Sequence, residues 1–236
     1  AMPPAVILNE NYVYSFETAG PYLFVVANTG ILRRDVNGGS WVYVQAPLPS
    51  EVTDVAVEGD LIWAAQQSDS LYQSLDFGQT WLAKPIIPSF TPHSLAVNGQ
   101  TVICMAKKDY QIKSTAVSLN GGLQWQIVST PEVFENIDYG AGRFFARAVT
   151  GKTWSSANGL SWQQFFPTSS PFSWGAMVEQ NGIWMMTSGS GVLRSVDMGA
   201  NWVLSNTGLG NHPGNVAIRN DMLMANNKHF SVDDGT

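Results

Sequence analysis

Residues 74–81 read SLDFGQTW, and versions of this phrase recur along the chain. The shared pattern is a Ser, an acidic or amide residue, a Gly and a Trp, and five versions end at Trp41, Trp81, Trp125, Trp162 and Trp202. Successive Trp residues are 40, 44, 37 and 40 positions apart. A repeat of that length, without helical patterning, indicates the four-stranded blade of a β-propeller.

Four versions keep the spacing of residues 74–81. Their pattern residues are Ser74, Asp76, Gly78 and Trp81; Ser118, Asn120, Gly122 and Trp125; Ser155, Ala157, Gly159 and Trp162; and Ser195, Asp197, Gly199 and Trp202. An earlier version has one extra residue and contains Asp35, Gly38 and Trp41. The last version, SVDDGT, has Ser231, Asp233 and Gly235 but no Trp.

Each repeat unit predicts an up-and-down meander whose fourth strand begins at the Trp. The last unit lacks a fourth strand, while a spare apolar strand, PAVILNE, occupies residues 4–10. We therefore predict an all-β fold, a six-bladed β-propeller of four-stranded antiparallel blades, in which the N-terminal strand completes the last blade and leaves no open edge. Residues 1–236 would form a single domain with blades at approximately 11–50, 51–90, 91–133, 134–170, 171–210, and 211–236 plus 4–10.

The recurring phrase suits a tight hairpin. Ser and Asp side chains accept hydrogen bonds from turn amides, Gly reaches positive φ, and Trp packs against an adjoining sheet. These residues follow the pattern SxDxGxxW, and the chain resembles the Asp-box, or BNR, repeat family, with full matches at 74–81 and 195–202. Asn120 replaces the Asp in one version, and Ala157 removes the carboxylate from another. The resemblance implies a sialidase-like propeller whose boxes lie on peripheral hairpins, away from the ligand face.

A binding face is predicted on the opposite side. Links from a fourth strand to the next first strand, together with loops between second and third strands, gather there in a propeller. Trp174, in the Pro- and Ser-rich link PTSSPFSW, is an exposed aromatic candidate. The full set of candidate ligand-binding residues is Tyr12, Asp69, Phe90, His93, Tyr110, Phe134, Arg147, Trp174 and His212.

The catalytic residues of sialidases are not recognisable. That chemistry needs three Arg residues around the substrate carboxylate, because guanidinium binds carboxylate in a fork. Of the six Arg residues, Arg147 alone is well placed for the predicted face, and Arg219 would join it only if it points into the central channel. Arg33, Arg34, Arg143 and Arg194 lie elsewhere. We therefore favour a non-catalytic protein, with glycoside hydrolysis as a third-ranked function.

Other reactive groups are equally scattered. Glycosidases need two carboxylates about 5 to 10 Å apart, and no spacing pairs the candidates on the predicted face, Asp54, Asp69, Asp109, Glu132 and Glu135. His93, His212 and His229 are isolated, so no metal site is predicted. No cofactor is predicted either.

Composition narrows the choice of partner. The net charge of −6, without a basic run, argues against nucleic acid. No apolar stretch approaches the roughly 18 residues of a membrane span. The single cysteine, Cys104, cannot form an internal disulfide and is expected to be buried.

Two binding functions remain open. A face rich in amides, hydroxyls and aromatics suits carbohydrate, which makes a lectin-like module the first prediction. A scaffold for a protein partner, such as an assembly factor, is the alternative. The residues at equivalent loop positions differ from blade to blade, which weakens repeated sugar sites: Asn28, Gln66, Lys107, Arg147, Ser188 and Asn226. The oligomeric state stays open, and the resemblance favours an extracytoplasmic location.

Overall fold

The computed structural model describes residues 13–27, 30–44, 52–66, 70–108, 111–140, 142–165, 177–180, 182–188, 191–197, 201–205, 216–219, 222–225 and 229–231. Within these ranges all regular structure is β-strand, arranged in antiparallel sheets of consecutive strands. Five of the sheets have four strands and the last has three. The fold is thus an all-β propeller fold with four-stranded antiparallel blades, as predicted.

The strands of each blade follow one another along the chain. Blade 1 contains β1 (Val13–Ala19), β2 (Tyr22–Ala27), β3 (Gly30–Asp35) and β4 (Val42–Tyr43). Blade 2 contains β5 (Val52–Glu58), β6 (Leu61–Gln66), β7 (Ser70–Ser74) and β8 (Leu82–Pro85). Blade 3 contains β9 (Pro92–Asn98), β10 (Thr101–Lys108), β11 (Gln111–Ser118) and β12 (Gln126–Val128).

The later strands repeat this order. Blade 4 contains β13 (Phe134–Gly140), β14 (Arg143–Ala148), β15 (Thr153–Ser156) and β16 (Gln163–Gln164). Blade 5 contains β17 (Met177–Gln180), β18 (Ile183–Ser188), β19 (Gly191–Ser195) and β20 (Val203–Leu204). The three-stranded sheet contains β21 (Val216–Arg219), β22 (Met222–Ala225) and β23 (His229–Ser231).

The predicted number of blades is wrong. The described residues form five four-stranded blades, not six, because the sheet after blade 5 ends at β23 and has no fourth strand. The strand predicted at residues 4–10 lies outside the described ranges, as do Gly199, Asp233 and Gly235 of the repeated phrases.

The chain divides into two compact units. The first contains Ala1–Ile137 and Asn158–Trp162, and the second contains Asp138–Ala157 and Gln163–Thr236. In the first unit, apolar side chains are buried between blades 1 and 2 and between blades 2 and 3. In the second unit, Phe145, Trp184 and Met186 form a buried cluster on which Phe165 packs. In the described ranges, no helix is long and apolar enough to cross a membrane.

The hairpin at 74–81 shows how the repeated residues work. Ser74 Oγ accepts a hydrogen bond from the N–H of Gly78 at 2.8 Å and donates one to Asp76 Oδ1 at 2.8 Å. Asp76 Oδ1 also accepts the N–H of Thr80 at 2.8 Å. Bonds from the backbone and side chain of Thr80 lower the pKa of Asp76 to about 2. The Ser and the acid therefore satisfy turn amides that the strand ladder leaves open.

The hairpins of blades 3 and 5 use the same bonds. Ser118 and Asn120 repeat the pattern, which shows that an amide oxygen can replace the carboxylate. Asp197 Oδ1 accepts the N–H of Asn201 at 2.8 Å, and its pKa is lowered chiefly by that bond. In blade 1, Asp35 Oδ1 accepts the N–H of Asn37 at 2.8 Å.

The hairpin of blade 4 lacks the acid of the pattern and uses a different hydrogen-bond acceptor. Ala157 occupies the acidic position, and the next residue, Asn158, supplies the acceptor instead. Its Oδ1 accepts the N–H groups of Leu160 at 2.9 Å and Ser161 at 3.0 Å. Ser161 precedes Trp162 as Thr80 precedes Trp81, so Asn158 reaches the same turn amide from a neighbouring position.

Asn158→Ala is expected to lower the stability by about 1 kcal/mol, because two turn amides exchange an internal acceptor for water. For a chain of this size that corresponds to a fall in the thermal midpoint of roughly 2 to 4 °C. Circular dichroism melting measures it. Asn158→Asp, which keeps the acceptor, is the matched control; equal losses in both variants would contradict the role given to the side-chain oxygen.

The hairpin glycines also dock on the preceding blade in the first unit. A Cβ on Gly78 would lie 3.1 Å from Val44 of blade 1, and one on Gly122 would lie 2.7 Å from the Trp63 ring of blade 2. A Cβ on Gly159 would lie 2.5 Å from Ile103 of blade 3. All three glycines have positive φ. The repeated Gly is thus required both by the turn and by the contact between blades.

Candidate functional site

The predicted binding loops are described only in part. The links 86–91 and 129–133 and the turn 149–152 are visible, whereas the loops 45–51, 67–69, 109–110 and 166–176 lie outside the described ranges. Five of the candidate ligand-binding residues therefore cannot be placed: Tyr12, Asp69, Tyr110, Trp174 and His212.

Of the four candidates that the structure places, two are buried and two are partly buried. Phe90 is buried in the core between blades 2 and 3. Phe134 is also buried, and its ring meets that of Trp162 edge to face at 4.8 Å. His93 and Arg147 are partly buried on β9 and β14. The two Phe side chains turn back into the core and offer no ligand surface.

The first strands of neighbouring blades carry a different polar arrangement. β5 packs beside β1 and β9. The pairing of β5 with β6 shifts register between Val52 and Asp54, and that of β9 with β10 shifts between Pro92 and Ser94. Each shift is a β-bulge, which re-aims the side chains that follow it. Asp54 and Ser94 therefore occupy equivalent positions directly after a bulge.

These side chains link blades 2, 3 and 4. Asp54 Oδ2 accepts the N–H of Leu95 at 2.8 Å and the hydroxyl of Ser94 at 3.0 Å. One blade further on, Ser94 Oγ accepts the N–H of Ile137 at 3.3 Å and lies 3.2 Å from Asn136 Oδ1. In both cases a side chain of one first strand satisfies a backbone amide of the next.

Burial changes the acidity of this network. Loss of solvent raises the pKa of Asp54 from 3.8 to about 6, against the effect of bonds from Leu95, Ser94 and Val55. Burial also raises the pKa of the Cys104 thiol, and the nearby Asp54 charge adds to the rise. Cys104 is buried as expected, in a state that is poorly reactive.

Sequence reasoning identified Asp54 only as one of several carboxylates and missed Ser94 and Asn136. A sequence signal exists for Asp54 and Ser94, because each lies five positions before the Gly that follows its strand, Gly59 and Gly99. What the sequence does not show is that these positions become neighbours across blades.

The remaining carboxylates of the predicted face do not form an evident catalytic pair. Asp69 and Asp109 lie outside the described ranges, and Glu132 and Glu135 are partly buried on the link before blade 4 and on β13. Among the residues that the structure describes, no three His, Cys, Asp or Glu side chains are grouped so that they could hold a metal ion.

Exposed apolar side chains mark another surface. The large ones in the described ranges lie mostly on the repeated hairpins (Leu75, Leu119, Leu123, Leu160 and Val196) and on the outer strands (Val42, Tyr43, Leu82, Ile127, Val203 and Leu204). The other two are Val133 and Val149, on the predicted face. Apolar surface is therefore concentrated at the hairpins and outer strands, which sequence reasoning had treated as structural only.

Comparison with known proteins adds the fold but no family. No protein-family model and no curated protein matches the chain. Solved β-propellers do match it. YCF48 bound to D1 peptide is 15% identical with a TM-score of 0.63, over 91% of this chain and 75% of that chain.

Two further matches carry other descriptions. An ancestral GH74 enzyme is 17% identical with a TM-score of 0.57, over 85% of this chain and 32% of its own. PorZ, a surface component of the type-IX secretion system of Porphyromonas gingivalis, is 15% identical with a TM-score of 0.59, over 90% of this chain and 29% of its own. At these identities the matches show a shared fold, on which functions vary.

Proposed function

We propose that this chain is a non-catalytic binding module whose ligand is a segment of another protein. The observation that carries the proposal is the concentration of exposed apolar side chains on the repeated hairpins and outer strands. Exposed apolar patches on a folded protein mark sites of interaction. Leu75 is 68% exposed and Leu123 is 74% exposed, although both belong to ordered hairpins.

The comparison with YCF48 supports a protein ligand, since that propeller is described with a bound peptide. The sugar-binding alternative rests on aromatic residues at the loops. Phe90 and Phe134 are buried. Among the large hydrophobic side chains that are exposed in the described ranges, the aromatic one is Tyr43, and it lies on an outer strand. No described residue therefore supplies a sugar-stacking platform on the predicted face.

We also infer that the repeated hairpins are Asp boxes. The support is the shared set of bonds in blades 2, 3 and 5, in which a Ser hydroxyl and an acid or amide oxygen join within one turn. In this interpretation the box holds the hairpin in shape, and the variable residues beside it form the interaction surface.

A selection experiment tests the protein-binding function. The purified full chain is immobilised and panned against a phage-displayed library of random linear peptides, and the same protein is applied to a glycan array. We expect peptides of related sequence to be enriched and no glycan to bind specifically. A variant with Leu75→Asn, Leu82→Asn and Leu123→Asn should bind the enriched peptides at least about tenfold more weakly, a loss of about 1.4 kcal/mol.

Val149→Asn is the matched control, because Val149 is exposed to a similar degree but lies in the turn between β14 and β15. It should leave peptide binding unchanged. Specific glycan binding without peptide enrichment would overturn the proposal and restore the lectin prediction. Loss of peptide binding in Val149→Asn alone would move the site to the loop face.

A further inference from the structure

The outer strands present an open backbone edge in a defined register. β4, β16 and β20 are the last strands of their sheets. In each of these blades the third residue after the Trp donates its N–H inward: Val44 to Ile31, Phe165 to Thr153, and Ser205 to Val192. Inward and outward groups alternate along an antiparallel strand. The second residue after each Trp therefore directs its N–H and C=O towards the open edge.

In blade 2 this outward residue is Ala83. β8 is the last strand of the sheet, and Ala83 lies opposite Tyr72 of β7. With four residues, β8 is also longer than the outer strands of the other four blades. Pro85, at the end of β8, lacks an N–H. Because it lies two residues after Ala83, its backbone also faces the open edge, so no bond to β7 is lost.

Apolar side chains flank this edge. Leu82 is 60% exposed and lies opposite Gln73, which in turn lies opposite Trp63. Gly122 of the next hairpin packs on the Trp63 ring, and the residue after it is the exposed Leu123. The edge strand β8 thus carries an exposed Leu, and the hairpin of blade 3 that contacts blade 2 carries another.

The chemistry of the surface indicates the occupant. Unpaired backbone groups in strand geometry are satisfied by another extended chain. A second copy of this protein is disfavoured because each copy carries a net charge of −6. Asp76 remains ionised in the adjacent hairpin because the bonds from Thr80 hold its pKa at about 2. A partner segment with positive charge therefore fits better than a neutral or acidic one, even beside Lys84.

We propose that β8 is a strand-addition site, at which an extended segment of a partner protein, with alternating apolar and Lys or Arg residues, pairs with the open edge at Ala83. This inference rests on the proposed function and assigns it a surface. The added segment would exchange backbone hydrogen bonds with Ala83 and lay an apolar side chain against Leu82.

Ala83→Pro tests the site, because it removes the outward N–H without removing a bond to β7. Peptides enriched on the full-length wild-type chain are measured against variants by fluorescence anisotropy. We expect sequences that alternate apolar and basic residues, and a loss of affinity of about tenfold in Ala83→Pro, as for one or two hydrogen bonds. Ala83→Ser keeps the N–H and should bind like wild type.

Gln164→Pro makes the equivalent change in blade 4 and should also leave binding unchanged. If Ala83→Pro melts well below wild type, Leu82→Asn is measured in its place, because Leu82 is exposed. Its affinity for the enriched peptides should also fall by about tenfold. If the deciding variant binds the enriched peptides as tightly as wild type, the strand-addition site is overturned, while the proposed protein-binding function stands. If no peptide is enriched, both proposals fail.

Discussion

Gly122→Ala is expected to lower the thermal midpoint by roughly 4 to 20 °C. Gly122 has a φ of +78°, which costs a residue with a Cβ about 1 to 2 kcal/mol. The new Cβ would also lie 2.7 Å from the Trp63 ring, which is rigid and fully buried. Overpacking of this kind costs about 1 to 3 kcal/mol. The sum, about 2 to 5 kcal/mol, gives the stated shift for a chain of this length.

A matched control separates the two causes. Gly59 also has positive φ, at +63°, but a Cβ there would meet nothing within 4 Å. Gly59→Ala should therefore show only the cost of the backbone conformation. Trp63→Phe removes the crowding part of the ring and should recover stability in the Gly122→Ala background, which a double-mutant cycle measures. Equal effects of Gly122→Ala and Gly59→Ala would contradict the packing role of the hairpin glycine.

The repeated hairpins explain which parts of the fold were predictable. A Ser, an acid, a Gly and a Trp make bonds within eight residues, so their spacing predicts the hairpin and the strands on either side. The fourth strands predicted to begin at the Trp are observed from the next residue onward, for example at Val42–Tyr43 and Leu82–Pro85. Four-stranded antiparallel blades were confirmed for this local reason.

Blade number depended on distant contacts and was predicted wrongly. Closure of a last blade by residues 4–10 required a long-range pairing that no local pattern encodes. The same limit applies to the site. Phe90 and Phe134 lie at positions where a loop was expected, but whether a loop side chain faces solvent or core depends on the neighbouring blades. Asn158 likewise replaces a missing acid through turn geometry that its position does not reveal.

Asp54 gives the second large effect, on the pH dependence of stability. Its pKa is about 6 in the folded chain and 3.8 when unperturbed, so the folded state retains a proton that the unfolded chain releases. The contribution of Asp54 to the free energy of unfolding is therefore fully present below about pH 4 and is lost as the pH rises through 6. The full difference is about 3 kcal/mol.

Asp54→Asn should remove this dependence while keeping an oxygen that can accept the N–H of Leu95. We expect the variant to be more stable than wild type by up to about 3 kcal/mol at pH 7.5, and the difference to shrink as the pH falls to 4. Urea unfolding at several pH values measures it. Subtracting the unfolding free energies of the two proteins cancels the contributions of the other acids. Among these is Asp76, whose pKa of about 2 places its effect below this pH range.

Asp54→Ala distinguishes the charge from the hydrogen bonds. It removes the same charge but leaves the N–H of Leu95 without its acceptor, at a cost of about 1 to 3 kcal/mol, whereas the Ser94 hydroxyl keeps Asn136 Oδ1 as an acceptor. The Ala variant should therefore be less stable than the Asn variant at every pH, by a constant amount. A pH-independent difference between wild type and Asp54→Asn would instead mean that Asp54 is ionised throughout the range. The junction between blades 2 and 3 would then be held by a charged carboxylate whose hydrogen bonds outweigh its loss of solvent.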